Sequence, residues 1–295
     1  AIYQIPTEDN EPVKSVPLAM QRLFYQLQIS DTPVITTELT NSFGWDSSVC
    51  NTQHDVQEFD RVLLDYIENK MKNTNVDDAI SRLFVGKMKS YVRCVNVNFE
   101  RSCIEDYYDI LLEVKGHKTL SDSFMNYIRE ESCEYQTETY GLQDAKKGVI
   151  FESFPPVLRI QLNRFEYDSQ KDTVVKINDR LEYPLEIDLE RYLSSDSDRS
   201  KPHNYLLHGV IVHSGDLYEG SYYIFLKPEK NGKWFKFDNH RIIPVIDKEV
   251  LGDNYEVEIT KANSSMNAYM LIYIRESDID FVLSPILAED IPRHL

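Results

Sequence analysis

The chain has 295 residues, 42% of them hydrophobic and 12% aromatic, enough apolar material for one large domain or two smaller ones. Its 49 acidic residues outweigh 32 Lys and Arg and give a formal charge of −17, which argues against nucleic acid as a partner and favours a basic one. Apolar runs such as "YLLHGVIV" are too short to span a bilayer, so no membrane partner is expected.

The chain opens on "AIYQIPTEDN" and closes on "AEDIPRHL", where Asp290 and Pro292 are placed as a helix start; both ends read as cuts from a longer protein. Val16, Met20, Leu23, Phe24 and Leu27 recur at helical spacing, with Pro17 tolerated in the first turn. A polar connection containing Gly44 and Trp45 follows. Thr52 then opens a second helix through a Thr-x-x-Asp pattern that resembles a capping box, with Val56, Phe59, Leu63 and Ile67 as its buried stripe.

Beyond Phe84 the period changes. "MKSYVRCVNV", "YYDILLEV", "GVIFESF" and "PVLRIQLNRF" read as strands, interrupted by a short helix near "SDSFMNYI". The Ser/Asp-rich "SSDSDRSKP" is a surface insertion, and "NYLLHGVIVHS", "SYYIFLK", "KWFKFDN" and "NAYMLIYI" are strands again. Helices first and strands afterwards predict an α+β protein. Cys50, Cys94, Cys103 and Cys133 form no C-x-x-C pair, so structural zinc is not expected; free thiols suit a reducing compartment, cytoplasm or nucleus.

In "HSGDLYEGSYYIF" a loop runs into a buried strand at Ser221, a usual place to present a catalytic side chain. The following segment reads as a hairpin turning at Asn231-Gly232, which brings Ser221 and Asp238 side by side at one end. A His–Asp pair held this way orients the base of a thiol protease. Here the Asp is present, but a serine has no group titrating near neutrality and cannot take a thiol's proton.

The block "QHDVQEF", the run "PPVLRIQLNRFEYD", the pair "KINDRLEYP", the segments "HSGD" and "GSYY", the strand "KWFKFDN" and the closing "NAYMLIYIRES" stand in one order. Together they resemble the catalytic domain of the ubiquitin-specific proteases (peptidase family C19), with the herpesvirus-associated member the most similar, over nearly the whole chain. The resemblance implies a papain-like right hand of Fingers, Palm and Thumb. A Thumb remnant would cover about 1–82 and Fingers with Palm about 83–280, with 281–295 starting a C-terminal linker helix. It implies thiol hydrolysis of the isopeptide bond after ubiquitin's terminal glycine, with no cofactor; the four-Cys zinc pattern of some relatives is missing. On this chain the Cys box and its helix would fall before Ala1, Ser221 stands at the histidine position, and Asp238 matches the triad acid.

By the same resemblance Asp55, Gln57 and Glu58 face ubiquitin's basic tail, while Arg164, Phe165, His213, Tyr222 and Tyr269 line its channel. Phe165 and Tyr269 also read as plain core, Asp55 as a first-turn helix charge, and His208 as a core histidine. Glu219 replaces a glycine of close relatives beside that channel. Cys50, with His54 four residues on, is the alternative thiol. Three readings follow: a ubiquitin-binding domain without catalysis, a fragment or mutant of an active deubiquitinase, and a scaffold whose channel Glu219 blocks. The partners implied are ubiquitin or ubiquitinated proteins, together with flanking domains of a longer parent. Without the Cys-box helix, Leu23, Phe24 and Leu63 are expected to face solvent.

Overall fold

A computed structural model describes residues 1–11, 14–44, 55–215, 220–239, 241–252 and 266–295. The chain divides into two units, residues 1–82 with 284–295, and residues 83–283. Among the described residues no helix is long and apolar enough to cross a membrane.

In the first unit Ser15 caps helix α1 (Val16–Ile29) by accepting from Leu18 N at 3.4 Å, and Pro17 occupies the first turn. Val16, Leu18 and Ala19 are buried, and so is Gln21. The Gln21 amide donates to Ile2 O at 2.8 Å and Ile5 O at 2.9 Å, and its oxygen accepts from the Thr7 hydroxyl at 2.5 Å. Thr7 Oγ1 also lies 2.9 Å from His294 Nε2, which ties the last residues to this cluster. The stripe emerges toward its C-terminal end: Leu23 and Phe24 are half-buried and Leu27 is 61% exposed.

After α2 (Thr37–Ser42), helix α3 spans Val56–Met71. Its N-cap is Asp55, whose carboxylate accepts from Gln57 N at 2.7 Å; Thr52 lies outside the described residues. Ile67 and Met71 are buried, whereas Val56, Phe59 and Leu63 are half-buried. Phe43 packs edge-on against Phe59 and Tyr66, with centroids 5.8 and 6.1 Å away. Within residues 281–295, expected to begin a linker helix, Ala288–Asp290 is a 3-10 turn, and residues 284–295 group with these helices.

Among its described residues the second unit holds three sheets. Strands β1 (Gly86–Cys94), β2 (Glu100–Tyr107), β4 (Glu131–Thr137) and β5 (Gly141–Ser153) form an antiparallel sheet in the order β2-β1-β5-β4. Residues 100–106 of β2 are all exposed, so its ladder to β1 is held by backbone bonds and by ion pairs such as Lys87 Nζ with Asp106 at 2.7 Å and Lys89 Nζ with Glu100 at 3.2 Å. Cys94 and Cys133 each pair with Ala145 from opposite sides. Two strand spacings therefore separate them, about 9.6 Å, beyond disulfide reach.

The larger sheet runs β13-β12-β11-β10-β14-β6-β3, with β9 beside β10. Its strands are β3 (Ile110–Glu113), β6 (Val157–Asn163), β9 (Glu186–Asp188), β10 (Asn204–Gly215), β11 (Gly220–Leu226), β12 (Trp234–Asp238), β13 (Arg241–Val245) and β14 (Met266–Arg275). Six of the seven β6 residues are buried, and only β3 pairs with it in parallel. Helix α5 (Leu120–Tyr127), after α4 (Ala79–Phe84), covers one face. The reciprocal Thr119–Asp122 capping box starts α5, and Phe124 stacks on Tyr192 at 4.7 Å and meets Phe151 edge-on. Strands β7 (Phe165–Asp168) and β8 (Thr173–Lys176) form a separate ribbon. The β11–β12 connection turns at Glu229–Gly232, closed by Gly232 N donating to Glu229 O at 3.1 Å.

Two stability predictions follow from this packing. A Cβ at Gly86 would overlap the ring of buried Tyr107, whose hydroxyl donates to Ser153 O at 2.9 Å. Gly86→Ala is expected to lower unfolding free energy by about 2 kcal/mol, read as a lower urea midpoint at unchanged slope. Burial holds the His208 imidazole below its ordinary 6.5, only partly opposed by a hydrogen bond with the Lys227 main chain. The unfolded chain thus binds a proton that the native state resists, so this contribution is complete above 6.5 and declines as pH falls through and below that value. His208→Gln should lose less stability than the parent between pH values of about 7 and 5, measured by urea titration at each pH.

Candidate functional site

Strand β10 ends between two neighbours. His213 pairs with Tyr222 of β11 on one side and with Asn267 of β14 on the other. Cross-strand partners share a face, so all three side chains project from the same side of the sheet. The β10–β14 register shifts between Ile211, opposite Met270, and Val212, opposite Ala268. Tyr269 is the residue left over, and this bulge brings its ring to the His213 side. The result is an aromatic cluster: His213 lies 4.9 Å from Tyr222, 6.2 Å from Tyr269 and 5.7 Å from Phe165, and Tyr222 lies 5.7 Å from Tyr269. His213 and Tyr269 are buried, while Phe165 and Tyr222 are half-exposed.

Polar groups hold this cluster from within. Gln161 Nε2 donates to Tyr269 OH at 3.1 Å. Arg164, 1% exposed, donates through Nε to Ala268 O at 3.0 Å and through Nη1 to Ile177 O at 3.2 Å and Asp179 O at 2.5 Å. Its guanidinium thus clamps β14 to the segment after β8. Lys176 Nζ donates to Gly215 O at 2.7 Å and His213 O at 3.3 Å, fixing the end of β10.

Ser221 and Asp238 belong to the other face. Ser221 pairs with Ser214, one residue on from the His213–Tyr222 pair, so alternation turns it away from the aromatic cluster. The β11–β12 ladder sets Ile224 opposite Phe237 and Phe225 opposite Lys236. In that register Lys236 and Asp238 share a face with Tyr223 and Ser221, and Asp238 stands as the diagonal neighbour of Ser221. The two are at one end and on one face, but the paired part of the ladder stops at Ile224. The Asp238 carboxylate receives Lys236 Nζ at 3.1 Å, and that ammonium also sits 3.9 Å above the Tyr223 ring. Ser221 is exposed.

In the first unit Asp55 and Gln57 are half-buried at the start of α3, and Glu58 is exposed in its first turn. Asp55 therefore has a structural task as cap whatever else it does. Cys50, His54 and Glu219 lie outside the described residues. Cys94 is buried, Cys133 half-buried and Cys103 exposed, and among the described residues no cluster of His, Cys, Asp and Glu is placed to hold a metal. Gln161, Lys176, Lys236 and Asn267 were not singled out from the sequence. The available signal was polarity inside apolar runs: Gln161 in "LRIQLN" and Asn267 before "AYMLIYI".

The family profile described as ubiquitin carboxyl-terminal hydrolase matches residues 2–273. The chain belongs to that family. It is 53% identical over 307 residues to ubiquitin carboxyl-terminal hydrolase 15 of Schizosaccharomyces pombe, with 100% of this chain and 27% of that protein covered. It is 46% identical over 325 residues to ubiquitin carboxyl-terminal hydrolase 15 of Saccharomyces cerevisiae, covering 100% of this chain and 26% of that protein. The chain thus spans about a quarter of the length of these relatives. A solved structure of the SAGA Ubp8/Sgf11/Sus1/Sgf73 DUB module bound to ubiquitin aldehyde superposes with a TM-score of 0.76 at 23% identity, covering 91% of this chain and 61% of the other. The fold is the papain-like one of ubiquitin-specific proteases.

Within this ubiquitin carboxyl-terminal hydrolase domain Arg164 is a clamp whose removal strands three carbonyls. Arg164→Met is expected to lower unfolding free energy by about 3 kcal/mol, and Arg164→Lys to recover only a minor part, because an ammonium lacks the planar fork. Denaturant titration of both variants checks this.

Proposed function

We propose that this chain is a ubiquitin-recognising domain of the ubiquitin-specific protease type that does not itself hydrolyse. The observation that carries this reading is Ser221, exposed on the sheet face it shares with Asp238, where the family resemblance expects the base. A hydroxyl cannot accept the thiol's proton near neutrality. The Asp238 carboxylate, instead of orienting an imidazole, is bound by Lys236. In triad proteases loss of the base costs on the order of 10⁶ in rate. Binding has no such dependence.

Support for binding comes from groups that do not need Ser221. Asp55 and Glu58 present carboxylates suited to an Arg-rich tail through charge-assisted hydrogen bonds. The cluster of Phe165, His213, Tyr222 and Tyr269, braced by Arg164, supplies apolar walls for an extended chain. The net charge of −17 steers basic partners. Flanking domains belong to this reading, because 27% of the first relative's length is matched.

Titration calorimetry with ubiquitin tests the reading on the parent chain and on Asp55→Asn, which keeps the helix cap and removes the charge. Measurable binding, weakened about five- to tenfold by Asp55→Asn, is expected. No release of a fluorophore from a C-terminal ubiquitin conjugate is expected. Turnover would overturn the catalytic half of the proposal and favour the active-enzyme reading, which the 53% identity to a named hydrolase also favours. A folded chain that shows no binding would overturn the recognition half and leave a scaffold.

A further inference from the structure

Strand β9 is paired on one side. Leu207 N donates to Leu185 O at 2.8 Å and Leu189 N to His203 O at 3.0 Å, bracketing the Ile187–Tyr205 pair. In an antiparallel ladder bonded pairs alternate with unbonded ones, so the N–H and C=O groups of Glu186 and Asp188 point away from β10. Among the described residues no other strand pairs with β9, and this outer edge is open. A cleft of about 580 Å³ lies beside it. Its lining takes in β9, residues 182–184 and the start of α5 but no residue of β10, which places it on the open side. The far wall is tied back where Leu120 N donates to Glu182 O and Glu182 N to Lys118 O, both at 2.8 Å.

The two faces of β9 differ. Ile187, half-buried, shares a face with buried Tyr205, and with Leu120, Tyr183 and Pro184 it gives the cleft its apolar surface. Glu186 and Asp188 are exposed on the other face. Asp188 Oδ1 accepts from Glu190 N at 2.9 Å, but neither carboxylate forms an ion pair among the described residues. Arg191, the cation of the lining, is committed to Ser121 Oγ and Tyr192 OH and lies over the Tyr192 ring. Two like charges and a length of three residues deter pairing with a second copy of the same edge. They favour a strand that brings cations. We propose that the open edge of β9 docks an extended segment of a partner protein with a basic–apolar–basic pattern. Main-chain bonds to Glu186 and Asp188 add it to the sheet. Its basic residues stand opposite these two acids, and its apolar residue stands opposite Ile187 and enters the cleft.

The probe is a library of short synthetic peptides, apolar at the central position and basic, acidic or neutral on both sides of it. Preferential capture of the basic–apolar–basic members by the parent chain is expected. Amide exchange supplies the structural readout. A captured peptide should slow exchange at Glu186 and Asp188, whose N–H groups are open, and leave Ile187, already bonded to β10, unchanged. A double variant carries Glu186→Lys and Asp188→Asn, the latter keeping an acceptor for Glu190 N. It should capture basic members about tenfold less well and acidic members better, with its thermal midpoint unchanged. A parent chain that shows no preference among the members would overturn the inference. So would a double variant that binds basic peptides as the parent does. Capture without protection of the Glu186 and Asp188 amides would overturn it as well, because the peptide would then lie on the surface without joining the sheet.

Discussion

The ladder along β10 is the constraint on which the rest of the second unit depends. This strand pairs with β9, β11 and β14, and it sets which side chains share a face at its end. His213, Tyr222 and Asn267 fall on one side; Ser214, Ser221 and Asp238 fall on the other. A slip of one residue would exchange the two sets. The shift after Ile211 is the one departure that this arrangement uses: it leaves Tyr269 unpaired between Met270 and Ala268, with its ring 6.2 Å from His213.

That separation keeps Ser221 and the aromatic cluster on opposite faces of one sheet. Ser221 is exposed and belongs to no packed layer, so its identity hardly affects the fold. The aromatic side is built from buried groups whose bonds run to Ala268, Ile177, Asp179 and Gly215, none of which depends on Ser221. The two faces are thus mechanically independent, although they take neighbouring residues of one strand in alternation.

What the sequence revealed follows the same physics. Strands β6 and β14 carry long apolar runs because both their faces are buried, while β10 and β11 alternate buried with less buried residues; these were legible. Strands β2 and β4 were not, because most of their side chains meet solvent. Leu27 belonged to a true helical stripe but is 61% exposed. The opening of α3 was read from Thr52, whereas its cap is Asp55, an acid that served the functional reading and so hid its structural one. Arg164 was placed in a channel by its neighbours in the run, yet its guanidinium is spent on carbonyls. Motif order grouped these residues; it did not say which of them brace the fold.

The Thr7–Gln21–His294 cluster has a mechanical consequence. Residues from the beginning and the end of the chain meet there within hydrogen-bond distance. Loosening either segment would therefore free the other, because one hydroxyl, that of Thr7, is shared between Gln21 and His294.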